Sequence, residues 1–346
     1  MRQNCGTGVS VIIPTYNRAH LVPRAIDSAL RAVSAGDEII VVDDGSTDQT
    51  EKALAKYAGY IRYVKTENRG AGPARNLGVQ LASADWIAFL DSDDEWMADH
   101  LQLHRNFLSK SNVLFSFSNF DVCYDNTPRK EPAKMRLVSW TGDSRSWDEI
   151  IGKGIPYTRF ADLPSGRADF TVHIGSLYHQ MLRSSYVPAW TSLVRRDRAG
   201  EILRFPEDLP TFEDYDCYVR LSKTGEAAYL DCATAINHAH EGARLNDADH
   251  LTRIATRRRI LERNWGRDNE YLSKHRGSYA SAMIELEKTR VKYFIIRGDT
   301  QSARLHLRNL SAPPLRYRLL SRLPGPVACL VSKLYLAAAG FLDHIR

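Results

Sequence analysis

The segment VIIPTYNR, residues 11–18, begins as a buried β-strand and changes character within one residue. Its first three residues are β-branched and apolar, as in strands that are covered on both faces of a sheet. They run directly into Pro14 and a cluster of hydrogen-bonding side chains, whereas a core strand more commonly ends in Gly, Asn or Asp turn chemistry. The strand is therefore predicted to span residues 9–13, and the polar residues after it need a reason other than a turn.

Beyond this segment, apolar strands alternate with helical patterns as far as residue 94. The strands are predicted at residues 9–13, 38–42, 60–64 and 86–90, with apolar residues at helical spacing between them. This order predicts an α/β fold with a mostly parallel central sheet and helices on both of its faces. In such sheets ligands bind outside the carboxyl ends of the strands, so the polar strand ends should meet at one edge.

Carboxylates follow two of these strands. Asp43 and Asp44 follow the second strand, and Asp91, Asp93 and Asp94 follow the fourth. Unpaired carboxylates this close together repel one another, so a cation is expected among them, and Mg or Mn prefers hard oxygen ligands of this kind. Each group taken alone could instead be a helix cap or a solvated loop.

Two further segments carry groups that could bind or react. The glycines of NRGAGPARNLG, residues 68–78, allow a tight backbone, and its arginines could bind a phosphate or a base, or simply cover a helix. In FEDYDCYVRL, residues 212–221, Glu213, Asp214 and Asp216 open a predicted helix. Acidic residues there interact favourably with the helix macrodipole, but one of them could also serve as a general base.

A histidine pair lies in NHAHEGARL, residues 237–245. His238 and His240 point the same way if this segment is a strand. An isolated pair of this kind is more often structural than ligating. The sequence has no HExxH motif and no cysteine beside the pair, so zinc is not expected.

Residues 120–200 are less regular, with several prolines and many aromatic residues, and are interpreted as an insertion with long loops. Five aromatic side chains could stack on a ligand or lie in the core: Trp140, Trp147, Tyr157, Phe160 and Trp190.

The composition is that of an ordinary globular protein, with 346 residues, 43% hydrophobic and 25% charged, and a net charge of +6. This mild positive charge suggests acidic partners without naming them. Five cysteines are scattered singly, which indicates reduced thiols in the cytoplasm. The first residues are polar and show no signal peptide.

The C-terminal part is predicted to be helical and basic. Residues 253–322 contain 17 Lys or Arg and 6 Asp or Glu, and residues 327–342 are mostly apolar. This last segment could lie on an anionic membrane face, or pack on the protein's own core or on a second subunit. It is short for a spanning helix. Nucleic-acid binding is not predicted, because no recognition motif accompanies the charge.

Five segments, in this order and spacing, resemble the motifs of the family 2 inverting glycosyltransferases with the GT-A fold. They are VSVIIPTYNR, EIIVVDDGSTDQT, NRGAGPARNLG, ADWIAFLDSDD and FEDYDCYVRL. The resemblance is strong over residues 8–100, moderate over residues 186–245, and faint elsewhere. It implies a GT-A domain over residues 1–250, with a nucleotide-sugar half at about 8–118 and an acceptor half at about 119–250. Residues 251–346 form a basic helical extension with an apolar final helix.

The resemblance also implies roles for particular residues. Pro14, Thr15 and Tyr16 hold the nucleotide base, and a proline gives that strand end a fixed φ and a rigid edge. Asp44 would form a hydrogen bond with the base edge, and Arg75 would face the nucleotide. Asp91, Ser92 and Asp93 resemble the DxD motif, with Asp91 near the ribose and Asp93 on the metal. Asp214 matches the catalytic base, and His240 would help to hold the metal and the diphosphate. His238 is a departure, since many relatives have a basic residue such as Arg there.

The function implied is inverting transfer of a hexosyl or N-acetylhexosaminyl group from a nucleotide-diphosphate sugar, UDP-linked by default, with Mg or Mn. The acceptor is a hydroxyl of a glycan or a lipid-linked sugar in bacterial cell-surface polysaccharide synthesis. The protein is expected in the cytoplasm, with peripheral attachment to the inner membrane face as a second option. The alternatives are a sugar nucleotidyltransferase, which usually has a glycine-rich basic loop after the first strand, and a non-catalytic nucleotide-sugar-binding protein.

Overall fold

The computed structural model describes residues 8–124, 133–135, 141–239 and 249–338. The chain forms two compact units. The sheet unit comprises Met1–Leu209 and Glu213–Ala243, and the helical unit comprises Pro210–Phe212 and Arg244–Arg346. The predicted division of the first part into nucleotide-sugar and acceptor halves stays a prediction.

Within the described residues, the sheet unit is built on one sheet of 11 strands. The strands are β1 (Val9–Thr15), β2 (Glu38–Asp43), β3 (Arg62–Lys65), β4 (Trp86–Phe89), β5 (Glu95–Trp96), β6 (Phe115–Tyr124), β7 (Ala133–Met135), β8 (Ile155–Pro156), β9 (Thr171–Gly175), β10 (Ser192–Arg195) and β11 (Ala227–Ala239). Their order is β3-β2-β1-β4-β10-β6-β11-β9-β8, with β5 paired to β11 and β7 paired to β6.

The first four strands confirm the predicted parallel arrangement, since β1 pairs in parallel with both β2 and β4, and β2 with β3. β10 then joins β4 in the antiparallel sense, and β6 and β11 form a second parallel pair. The α/β fold with a central, mostly parallel sheet is thus confirmed. Every residue of β1 and of β4 is buried, which matches their unbroken apolar sequence.

The helices of the sheet unit connect and cover these strands. They are α1 (Val22–Ala32), α2 (Thr50–Leu54), α3 (Ala71–Leu81), α4 (His100–Ser109), α5 (Trp147–Ile150), α6 (Tyr178–Met181), α7 (Arg196–Ala199) and α8 (Glu213–Thr224). Short 3-10 helices lie at Ala55–Tyr57, Tyr157–Arg159, Ala189–Thr191 and Gly200–Ile202. At Gly78, α3 approaches β1 so closely that a Cβ would lie 2.4 Å from Ile12 Cγ2.

The first strand is longer than predicted, because β1 continues through Pro14 to Thr15. The carbonyl of Ile12 accepts a hydrogen bond from Leu90 N, so residues 12 and 14 direct their backbone polar groups towards β4. β4 has already ended at Phe89, which is in register with Ile12, two positions before Pro14. The missing N–H of Pro14 therefore interrupts no ladder, as at a sheet edge.

Most of the five aromatic residues that were predicted either to stack on a ligand or to lie in the core are buried. Trp147, Tyr157 and Trp190 are at most 9% exposed. Trp147 stacks on Tyr229 with ring centroids 4.0 Å apart, and Tyr157 donates a hydrogen bond to a backbone carbonyl of α4. Phe160 packs edge-on against a ring of α4. The core interpretation is therefore the correct one for Trp147, Tyr157 and Trp190, whereas Phe160 is part-exposed. Trp140 lies outside the described residues.

The helical unit consists of α9 (His250–Asn264), α10 (Asn269–Ile296), α11 (Thr300–Leu307), α12 (Leu315–Leu320) and α13 (Gly325–Ala338). The last four helices enclose a small apolar core: Val291, Ile295, Ala303, Leu307, Leu310, Tyr317 and Ala328. The predicted C-terminal helical extension is confirmed. Among the described residues, no helix is both long enough and apolar enough to cross a membrane.

Candidate active site

The loops after β1 and β2 are tied together by Asn17. Its φ of 52° is in the left-handed region, which Asn tolerates better than most residues. Its backbone N–H donates to Ser46 Oγ, and its side-chain oxygen accepts from Thr47 N, both at 2.8 Å. Tyr16, held between these anchors, stays 44% exposed at the end of β1, while Thr15 is buried.

The two carboxylates at the end of β2 accept hydrogen bonds from the protein's own donors. Asp43 accepts hydrogen bonds from Ser46 N at 2.8 Å and from the Tyr63 hydroxyl at 2.7 Å. Each oxygen of Asp44 accepts a backbone N–H at 2.8 Å, one from Arg69 and one from Gly70. Gly70 has a φ of 99°, which brings its N–H round to Asp44 at little steric cost. Asp43 therefore holds the loop after β2 against β3, and Asp44 holds the loop that leads into α3.

Residues 91–94, which follow β4, lie in different environments. Asp91 pairs with Arg75, and Ser92 is buried. Asp93 keeps a part-exposed side chain with Arg18 Nη2 3.9 Å away. Asp94 turns inward and accepts a hydrogen bond from Asn237 Nδ2 at 2.8 Å.

Burial and mutual repulsion act together on these carboxylates. Burial raises the pKa of Asp91 above its ordinary value, the Arg75 charge opposes this shift, and the Asp93 charge adds to it. Burial also raises the pKa of Asp94 well above its ordinary value, and the charges of its two acidic neighbours add to the effect. The described residues thus leave negative charge here only partly compensated.

The start of α8 separates three carboxylates that the sequence could not distinguish. Glu213 pairs with Arg75 Nη1 at 2.8 Å, and Asp216 pairs with Arg220 Nε at 2.9 Å. For Asp214, only a hydrogen bond from Tyr215 N at 2.7 Å is found in the described part of the chain. Burial and then the Glu213 charge raise the pKa of Asp214 to about 7, against the opposing charge of Arg75. Asp214 thus has the properties of a general base working near neutral pH.

Arg75 connects the two acidic segments. Its guanidinium is 5% exposed and donates to Asp91 Oδ1 at 2.7 Å and to Glu213 Oε1 at 2.8 Å. The ring of Phe205 lies 5.4 Å from the guanidinium carbon. The nucleotide-facing role of Arg75 stays a prediction, and the structure gives it a second role that the sequence analysis missed, which is to fix the start of α8 beside the loop after β4.

Asn76 strengthens the same connection and was also missed. Its side-chain amide donates to the carbonyl of Phe205 and accepts from Phe205 N, at 2.8 and 2.7 Å. These bonds attach the segment before α8 to α3. The sequence signal for this role is weak, because the two partners lie 129 positions apart.

Of the two histidines, the structure describes only His238. His238, in β11, places Nε2 3.0 Å from Glu95 Oε2, and its backbone N–H lies 3.3 Å from Asp94 Oδ1. The end of β11 is therefore attached to Asp94 and Glu95. His240, the second predicted metal ligand, lies outside the described residues.

A divalent cation can be tested against the side chains at this edge. Within the residues that the structure describes, no group of three or more His, Cys, Asp or Glu side chains could hold a metal ion. The side chains of Asp91 and Asp93 are nevertheless 28% and 24% exposed beside each other. Mg²⁺ is usually bound by one or two carboxylates plus substrate phosphates, not by an all-protein cage. The carboxylates present therefore fit a cation that is shared with a diphosphate.

The sequence is similar to those of known glycosyltransferases. Residues 10–175 match the sequence profile described as "Glycosyl transferase family 2". Over 121 residues the chain is 36% identical to the Escherichia coli UDP-Glc:alpha-D-GlcNAc-diphosphoundecaprenol beta-1,3-glucosyltransferase WfgD, covering 34% of this chain and 48% of WfgD. Over 226 residues it is 27% identical to Bacillus subtilis TuaG, a glycosyltransferase assigned to teichuronic acid biosynthesis, covering 64% and 74% of the two chains.

The fold comparison extends over nearly the whole chain. The structure superposes on the crystal structure of S. aureus TarS 1–349 in complex with UDP-GlcNAc with a TM-score of 0.51 and 16% identity, covering 96% of this chain and 92% of that one. The chain spans only 16% to 48% of the length of curated relatives to which it is 36–40% identical. Residues 10–175 nevertheless carry the family's sequence pattern on its fold, and the chain therefore contains a glycosyltransferase family 2 domain of the GT-A type.

Proposed function

We propose that this protein transfers a sugar, with inversion, from a nucleotide-diphosphate sugar to a hydroxyl of a glycan or lipid-linked acceptor in bacterial cell-surface polysaccharide synthesis. UDP is the proposed nucleotide, and the reaction is proposed to occur in the cytoplasm. Support comes from the similarity to WfgD, whose name gives a UDP-sugar donor and a diphosphoundecaprenol-linked acceptor, and from the similarity to TuaG.

A single observation carries the proposal. Of the three carboxylates that open α8, Glu213 and Asp216 each have an arginine partner, and Asp214 has no ion pair among the described residues. Its pKa is raised to about 7 by burial and by Glu213. A carboxylate with this pKa is about half ionised at neutral pH and is basic enough to accept a proton from the acceptor hydroxyl in the transition state.

The proposed chemistry is one displacement at the anomeric carbon. Asp214 accepts the proton of the acceptor hydroxyl as that oxygen forms a bond to the anomeric carbon. The bond between the anomeric carbon and the phosphate oxygen breaks, and the nucleoside diphosphate leaves with the electron pair. Attack from the face opposite the leaving group inverts the configuration, and no covalent sugar–enzyme intermediate forms.

The donor would lie along the carboxyl ends of β1, β2 and β4. Tyr16 offers an exposed ring beside the base position, next to Pro14 and Thr15. Asp44 would contact the base edge through lone pairs that its two backbone hydrogen bonds leave available. Asp91 and Ser92 would face the ribose. Arg75 would contribute to nucleotide binding by positioning Asp91.

Asp93, with His240, would hold a Mg or Mn ion, whose charge would neutralise the diphosphate leaving group. The part-exposed carboxylates of Asp91 and Asp93, which lie close enough for the charge of Asp93 to raise the pKa of Asp91 further, support this assignment. Negative charge at the base and positive charge at the leaving group are then kept on separate sides of the reacting carbon.

The two alternatives make different demands on the same site. A sugar nucleotidyltransferase also needs acidic metal ligands, but the family match over residues 10–175 favours the glycosyltransferase. A non-catalytic nucleotide-sugar-binding protein needs no general base. The raised pKa of Asp214 would then have no role in a reaction.

The experiment is nucleotide release from a panel of UDP-, GDP- and dTDP-sugars with Mg or Mn, because slow donor hydrolysis needs no acceptor. The wild type is compared with Asp93→Ala and Asp214→Asn. Asp162→Asn, which changes an exposed carboxylate of the same unit, is the matched control. Metal-dependent release from one donor, lost in Asp93→Ala and kept in the control, is the expected result. Absence of both release and nucleotide binding by calorimetry would overturn the donor site.

A further inference from the structure

The outward faces of α12 and α13 are unusually apolar for a protein surface. Leu315 and Leu319, one helical turn apart on α12, are 61% and 54% exposed. On α13, four exposed residues follow the i, i+3, i+4, i+7 spacing of one helix face: Val327, Leu330, Val331 and Leu334. The opposite side of α13 packs inward through Ala328 and Ser332. The helix therefore keeps one apolar face in the core of the helical unit and a second one outside.

The same helices carry only positive charge. Residues 300–338 contain no Asp or Glu. Their basic side chains are all exposed: Arg304, Arg308, Arg316, Arg318, Arg322 and Lys333. We call the exposed apolar residues of α12 and α13, together with these six basic residues, the basic apolar face.

We propose that the basic apolar face binds the surface of a membrane that contains anionic lipids. Leucine and valine side chains would enter the boundary between headgroups and acyl chains, and the arginines would contact lipid phosphates. A second copy of this chain fits less well, because pairing two such faces brings like charges together with no acidic residue of residues 300–338 between them. Surface binding also agrees with the finding that no described helix can cross a bilayer.

The test is flotation of the full chain with vesicles of phosphatidylcholine alone and of phosphatidylcholine mixed with phosphatidylglycerol. We expect flotation with the anionic vesicles and little with the neutral ones. Arg318→Gln with Arg322→Gln should lower the partition coefficient by about fivefold per charge. Leu330→Ser with Leu334→Ser should lower it by about tenfold per leucine.

The matched control removes two charges elsewhere in the same unit. Lys274 and Arg276 are exposed near the beginning of α10, about 27 Å along the helix axis from the residues near 294 that pack in the core of the unit. Lys274→Gln with Arg276→Gln should leave flotation unchanged. An equal loss in this control would show that only net charge matters, and would overturn the proposal.

Two further results would also overturn it. One is the absence of wild-type flotation with anionic vesicles. The other is a dimer in sedimentation velocity that the Leu330→Ser, Leu334→Ser pair converts to a monomer while lipid has no effect, because the face would then be a contact between copies. Flotation needs no sugar nucleotide, so its outcome is independent of the proposed transfer reaction. Circular dichroism checks that each variant is folded.

Discussion

Acidic residues follow β2 and β4 in the same sequence context, and the protein uses them in opposite ways. After β2, the oxygens of Asp43 and Asp44 accept hydrogen bonds from backbone N–H groups and from one tyrosine. After β4, Asp91 and Asp93 lie close enough to raise the pKa of Asp91, and one arginine compensates only in part. Burial raises the pKa of Asp44 as well, so the two groups differ in their partners and not in the direction of this shift. The first pair holds loops through hydrogen bonds, and the part-exposed side chains of the second group can contact a ligand.

The start of α8 repeats this contrast within one helical turn. Glu213 and Asp216 are neutralised by arginines, whereas Asp214 is left with a backbone hydrogen bond among the described contacts. Carboxylates that are satisfied by the fold contribute stability, and carboxylates that are not are candidates for chemistry. The predictions below test this division, beginning with the largest expected effect.

Asp214→Asn should lower the rate of sugar transfer, or of donor hydrolysis, by about 10²- to 10⁴-fold, the usual contribution of a general base. Its stability should not fall. Because the pKa of Asp214 is raised in the folded protein, folding loses stability as the pH rises from the ordinary carboxyl range to about 7, and the loss persists above that. Asn removes this loss, so chemical denaturation at pH 8 should give an unfolding free energy equal to or above that of wild type.

The matched control for this prediction is Asp162→Asn, which should change neither rate nor stability. A variant Asp214→Asn that retains wild-type kcat would contradict the assignment of the base. Loss of activity together with a large loss of unfolding free energy would instead place Asp214 among the structural carboxylates.

The second prediction compares two arginines near the beginning of α3. Arg75→Met leaves Asp91 and Glu213 buried without their shared cation, and should cost about 3–5 kcal/mol of unfolding free energy. Arg69→Met removes an exposed pair with Glu207, and should cost about 0–1 kcal/mol. Urea denaturation of both variants measures the difference. Equal costs would mean that Arg75 is not the structural link between the two acidic segments.

The sequence predicted the first four strands and the edge at which their polar ends meet, because an unbroken buried strand is encoded locally. It could not predict which carboxylates would be satisfied. Asp44 finds its donors 25 and 26 positions away, and Arg75 finds Glu213 138 positions away. Such partners depend on which strands become neighbours, and no local pattern of charge specifies that.

The aromatic residues of the insertion show the same limit. Nothing in the sequence around Trp147 or Trp190 separates a ring that stacks on a sugar from one that packs in the core. The structure buries both, against Tyr229 and Phe120 respectively. The strand containing Tyr229 follows more than 80 positions after Trp147, so this packing too depends on tertiary contacts.

The third prediction compares one carboxylate from each acidic group. Asp44→Asn replaces one acceptor oxygen by an NH₂ group that faces a backbone N–H, and should cost about 1–3 kcal/mol of unfolding free energy. Asp93→Asn relieves repulsion with Asp91, and should leave the unfolding free energy unchanged or slightly higher while abolishing metal-dependent donor hydrolysis. Thermal or urea unfolding of the two variants without metal measures the contrast, and the opposite order of stabilities would contradict it.

The smallest effect expected is a pH dependence of the wild-type rate. Because the base must be ionised and its pKa is raised to about 7, kcat/KM for donor hydrolysis should rise as the pH increases and level off above neutrality, by about tenfold between pH 6 and pH 8. The residual rate of Asp214→Asn should lack this inflection, whereas the Asp162→Asn control should keep it. A wild-type kcat/KM profile that is flat over this range would contradict the raised pKa of Asp214, because kcat/KM reports the ionisation of the free enzyme. The pH dependence of kcat reports the complex with substrate, so an inflection in kcat/KM that is absent from kcat would show that bound substrate lowers the pKa of Asp214.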